Sequence, residues 1–104
     1  MFVQVIEGRL KSASGWTQLE ELGETWRRAE AHRAPGFKGF DFLRDRADPA
    51  HFIEVVRFES AEKAQENSRR PETNLFFQRI CALLDGEPRF VDCDAAQSMQ
   101  APPG

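Results

Sequence analysis

HFIEVVRFESAEKAQENSRRPETNLFF, residues 51–77, is the stretch whose reading decides the fold. Its first eight residues are mostly branched or aromatic, which is strand chemistry. Glu59-Ser60 then turns the chain into a helical pattern, with Ser60 at the N-cap and Glu62 favourably placed in the first turn. Pro71 interrupts that pattern, because proline lacks an N–H and clashes with the preceding turn. Two helical pieces are therefore predicted, over residues 60–69 and 71–84. The second would bury Leu75, Phe76, Ile80, Leu83 and Leu84, and Asp85-Gly86-Glu87-Pro88 would stop it.

Upstream, FKGFDFLR reads as a strand with Phe40 and Phe42 on one side and Asp41 and Leu43 on the other. The polar turn DRADPA joins it to the strand at 51–58, so the two form an antiparallel hairpin. FVQVIEG is a first strand ending near Gly8. Its faces, Phe2-Gln4-Ile6 and Val3-Val5-Glu7, are both largely apolar, so both sides of the sheet need cover. Between these strands, SASG supplies N-cap candidates for a helix from about Trp16. Trp16, Leu19, Leu22, Trp26 and Ala29 form its apolar stripe, Glu24 pairs with Arg28, and Ala34-Pro35-Gly36 ends it. RFVDCD is a short last strand.

The order β-α-β-β-α-β gives an α+β, ferredoxin-like domain over residues 1–94, followed by a flexible C-terminal tail at 95–104. Its four-stranded antiparallel sheet carries both helices on one face. The economical cover for the other face is a second copy, sheet against sheet, which makes a homodimer.

A chain of 104 residues allows one core, and a net charge of −3 argues against a general nucleic-acid binder. No apolar run reaches membrane-span length, and MFVQVIEGRL has no signal pattern, so no membrane partner is expected and the cytoplasm is the default location. Cys81 and Cys93 read as two reduced thiols rather than a disulfide or zinc framework. Nine Phe, two Trp and no Tyr point to packing rather than to phenolic hydrogen bonds. There is no Ser-His-Asp order, no glycine-rich phosphate loop and no metal-ligand cluster. His32 and His51 have no carboxylate or second histidine at helical or strand spacing and read as surface residues.

PGFKGFDFLRD, DPAHFIEVVRFES and AEKAQENSRRPETNLFF together resemble the antibiotic-biosynthesis monooxygenase-like family of the dimeric α/β-barrel superfamily, over residues 2–94. Pro35-Gly36 matches the family Pro-Gly, Phe58-Glu59-Ser60 matches its Trp-Glu-Ser, and Pro71 matches its helix proline. The family histidines fall on Asn67, Glu72 and Thr73. In the related haem-degrading frame the matching positions are Gly8, Asn67 and Phe77, which leaves no imidazole for iron.

The resemblance implies a cofactor-independent monooxygenase that oxidises an aromatic or quinone-type small molecule with O2, with no metal. It implies Asn67 and Trp26 as catalytic candidates, and Gln4, Trp26, Phe42, Asn67 and Phe76 as substrate contacts. The alternative is a non-catalytic dimeric protein of the same fold that binds a small ligand or serves an accessory role. From the residues alone, Trp26 is equally a member of the core stripe, and Asn67 suits a solvated helix turn as well as a pocket wall. Gln4 could simply bond to a neighbour, and Arg57 could pair with Glu7 or Asp92 across a dimer.

Overall fold

The computed structural model describes residues 1–104. Along the chain run β1 (Phe2–Arg9), α1 (Gly15–Ala29), β2 (Phe37–Arg44), β3 (His51–Phe58), α2 (Ala61–Ser68), α3 (Pro71–Cys81) and β4 (Arg89–Asp94). The strands form one sheet in the order β2-β3-β1-β4, with every neighbouring pair antiparallel. This is the ferredoxin-like α+β arrangement, with the second helix divided in two at Pro71.

Pairing register sorts the side chains into two faces. Phe42, Glu54, Ile6 and Phe90 lie in one row across the sheet, and Phe40, Val56, Gln4 and Asp92 in the next. Helices cover these rows. Leu19 of α1, Phe52 of β3 and Ile80 of α3 are fully enclosed and form the core with Ile6, Leu10, Trp16 and Leu84. Burying each such side chain stabilises the fold by about 1.5–3 kcal/mol. At Gly23, α1 comes so close to β2 that an added Cβ would sit 3.0 Å from the Phe42 ring.

A bulge shapes the far end of β2. Phe37 pairs with Phe58 and Gly39 with Arg57, so Lys38 is an extra residue on β2. The inserted residue lets Phe37 and Phe40, three positions apart, both line the helix side of the sheet. Period-two alternation alone would have sent one of them outward.

Several boundaries differ from the sequence reading. The first helix ends at Ala29 with Glu30 as its C-cap, well before Pro35, because the Glu30 backbone leaves helical geometry at φ −121°. Its carboxylate is held by Arg70. Gly36 serves the next turn instead, at φ +66°, where a Cβ would meet Lys63 of α2 at 2.6 Å. The third helix stops at Cys81, since Leu84 leaves to bridge Leu10. Leu75 is 48% exposed rather than buried. Packing of Phe76 on Trp26 and of Phe77 on Phe90 turns the Leu75 side of α3 outward.

The ion pairs are also redistributed. Glu24 accepts from Arg27 at 3.0 Å and lies 3.7 Å from Arg28. Arg57 donates to Asp41 of the same chain at 2.8 Å. His51 does have carboxylate neighbours: Asp45 lies 2.8 Å from Nδ1 and Glu7 2.8 Å from Nε2. Neither spacing is visible along one element, because Asp45 arrives from the hairpin turn and Glu7 from the paired strand. These two hydrogen bonds raise the imidazole above its usual range. Residues 95–104 carry no helix or strand.

Candidate functional site

The helix-facing side of the sheet is not filled along its whole length. Between the sheet, α2, α3 and Trp26 of α1 lies a cavity of about 610 Å³. That size suits a small organic ligand of several rings. The bulge contributes Phe37 and Phe40 to its wall, β3 contributes Phe58, and α3 contributes Phe76. Trp26 is 5% exposed and lies tilted at 30° against Phe76, with ring centres 4.9 Å apart.

Asn67 is 6% exposed and lines the same cavity. The last turn of α2 brings it there, with its neighbours Glu66 and Ser68 exposed. Its Oδ1 accepts from Thr73 Oγ1 at 3.0 Å and from Arg70 Nη1 at 3.2 Å. Two donors on one oxygen fix which way the amide faces. The Nδ2 group has no protein partner, yet every fully enclosed side-chain nitrogen and oxygen has one, so Nδ2 keeps open access. Arg70 is itself anchored by Glu30, and its guanidinium sits 6.0 Å from the centre of the Trp26 ring. Trp26 and Asn67 are thereby joined through one arginine that does not line the cavity.

Gln4 also lines the cavity, where its Nε2 donates to Asp92 Oδ1 at 2.8 Å across β1 and β4. Phe42 stands apart from the other sequence candidates. It packs behind the wall, 4.8 Å from Phe40 and 5.7 Å from Phe52, under Gly23.

The residue that sequence reasoning passed over is Glu54. It occupies the middle of β3, on the inner face between Phe42 of β2 and Ile6 of β1. It is 4% exposed and lines the cavity. No hydrogen bond and no neighbouring charge offsets its burial, which pushes the carboxyl up to about 8. The available signal was parity: Glu54 shares a face with Phe52, Val56 and Phe58. Around the cavity no Lys, Arg or His side chain stands among the lining residues, while Glu62 and Asp92 add two further acids. The arrangement is apolar, aromatic and acidic, with amides at Asn67 and Gln4.

No sequence-family model matches the chain, and no curated protein is similar to it at a significant level. Comparison of folds is more informative. A monooxygenase from the gene ActVA-Orf6 of Streptomyces coelicolor, solved with the ligand nanaomycin D, aligns at a TM-score of 0.81 and 18% identity, covering 97% of this chain and 92% of that one. The chain has the fold of the antibiotic biosynthesis monooxygenases. SnoaB, a cofactor-independent oxygenase from Streptomyces nogalater, aligns at 0.75 and 13% identity, covering 96% and 97%. A conserved protein from Methanosarcina mazei aligns at 0.74 and 11% identity, covering 89% and 91%. At such identities the likeness is one of fold, and chemistry has to be argued from the cavity.

Proposed function

We propose that this protein is a cofactor-independent monooxygenase that oxidises an aromatic or quinone-type small molecule with O2. The observation that carries the reading is the aromatic-walled cavity with the Asn67 amide opening on it. Trp26 and Phe76 offer flat surfaces for a fused ring system, and Asn67 Nδ2 offers a donor to a phenolic or carbonyl oxygen. Gln4 extends the polar side of the same wall. The oxygenase fold of SnoaB and of the nanaomycin-bound protein supports this choice of chemistry. The unpaired thiols of Cys81 and Cys93 support a reducing compartment such as the cytoplasm.

We also propose a homodimer. Val3, Val5, Ile53 and Val55 share the outer sheet face with Leu43 and Val91, which are 45% and 38% exposed. A second copy packed on that face would remove the apolar area from water.

Oxygen uptake by metal-stripped protein with anthrones, naphthols and hydroquinones tests the catalytic reading. Protein-dependent consumption is expected, falling at least tenfold in Trp26→Ala and in Asn67→Leu. Saturable quenching of tryptophan fluorescence by the same compounds, with no oxygen consumed, would make the protein a binder on an oxygenase frame instead.

A further inference from the structure

Glu54 is the least explained group in the molecule. A carboxyl 4% exposed normally has a cation or several donors around it, and this one has neither. It is not enclosed and inert, however, since every fully enclosed side-chain oxygen has a partner. Its oxygens therefore open on the cavity that it lines. The other titratable groups facing that space are Glu62 from α2 and Asp92 from β4, the latter accepting from Gln4. From α1, α3, β1 and β2 the lining residues carry no titratable side chain. Arg70, Glu30 and Glu72 form their own cluster behind Asn67.

We propose that Glu54 is the general base of this cavity, and that it takes the proton of an aromatic carbon acid or phenol bound against Trp26 and Phe76. The proposal rests on the aromatic-ligand reading above and supplies what that reading lacks. With no cation on the wall, a ligand anion created by a base from outside would add net negative charge to an acidic, poorly hydrated space. When Glu54 is the base, the charge only moves from the carboxylate to the ligand. With a phenol the new carboxyl then donates to the ligand oxygen; with a carbon acid Asn67 Nδ2 is the donor to the oxygen that takes up the charge. Burial also brings the base, at about 8, near the roughly 10 of a phenol, the range in which proton transfer is efficient.

For an anthrone the step balances with dioxygen as the oxidant. Glu54 removes one proton from the ring CH2, leaving its electron pair delocalised onto the carbonyl oxygen. One electron passes to O2, and the ligand radical and superoxide combine to form a C–O bond. The peroxide anion takes the proton back from Glu54. Loss of the second C–H proton then breaks the O–O bond, leaving a ketone and one water. The CH2 has lost two hydrogens and gained one oxygen atom, and Glu54 is again a carboxylate.

The proton step can be read without oxygen. Under argon in D2O, exchange of the CH2 protons of 1,8-dihydroxyanthrone is followed by NMR with native protein and Glu54→Gln, and probe binding by tryptophan fluorescence. Glu54→Gln is nearly isosteric and is expected to fold and bind the probe within about threefold of native. Native protein should accelerate exchange, with a rate rising through pH about 8 and then levelling. In Glu54→Gln the acceleration should fall about 100-fold and lose that pH dependence. Bound probe with no acceleration, or with equal exchange in both proteins, overturns Glu54 as the base while leaving the oxygenase reading to the oxygen electrode. Glu54-dependent exchange without oxygen uptake does the reverse. A probe that fails to bind overturns both.

Discussion

A carboxyl group buried without a partner leaves a thermodynamic mark that is independent of any ligand. Unfolded, Glu54 ionises in the ordinary range near 4.5; folded, it holds its proton to about 8. Between those values the unfolded chain has released a proton that the native state retains, so stability falls as pH rises. Its full contribution is present below 4.5 and is lost by the time pH has passed through 8. The slope from this one group is about 1.4 kcal/mol per pH unit in that window. Glu54→Gln, which cannot ionise, should flatten the profile in urea denaturation at pH 5, 7 and 8.5. Equal slopes in both proteins would place the carboxyl in water. Glu54 was hard to read from sequence because each face of its strand carries a charge, Glu54 on one and Arg57 on the other. Parity alone did not say which charge faced inward. Asn67 had the opposite difficulty: its sequence neighbours are polar, and only the end of α2 reaching Thr73 and Arg70 turns it inward.

At the scale of elements the reading was easier, because strands and helices announce themselves through period and punctuation. Ser60 caps α2 by accepting from the Lys63 N–H at 3.2 Å, and Pro71 opens α3 at its first position. Both are local chemistry, legible without tertiary knowledge. The end of α1 was not, because what ends it is the coil at Glu30, tied to Arg70 forty positions further on. Pro35-Gly36 punctuates the turn into β2 instead of the helix. Gly36 is therefore held by two constraints together, a left-handed backbone and the side chain of Lys63 pressed against it. Gly36→Ala should destabilise the protein by about 1–3 kcal/mol, read as a lower urea midpoint with unchanged m-value. A midpoint within error of native would mean that α2 moves aside freely.

The whole molecule presents two sheet faces with different fates. One is covered by helices and hollowed into a cavity; the other is uncovered within the single chain. Val55 lies near the centre of that outer face, opposite Val5 of β1 and Asp41 of β2. Val55→Asp should give monomer or insoluble protein by light scattering, since a second carboxylate there would be buried beside Asp41 in a dimer. A soluble, folded dimer would remove the outer face as the interface. The apolar character of the outer face was legible in the two apolar faces of β1, because alternation that fails to produce a polar side is itself a signal. The interior hollow was not, since a cavity is made by residues that do not meet, and sequence patterns report only on those that do.

The extra residue at Lys38 has one more consequence. It lies in β2, an edge strand, and the bulge interrupts the even ladder of N–H and C=O groups that an approaching strand would need. The opposite edge, β4, has only six residues, three of them charged: Arg89, Asp92 and Asp94. Charged side chains and short length discourage strand addition at that edge as the bulge does at the other. Both edges of the sheet are thus guarded against the endless edge-to-edge growth that leads to fibres.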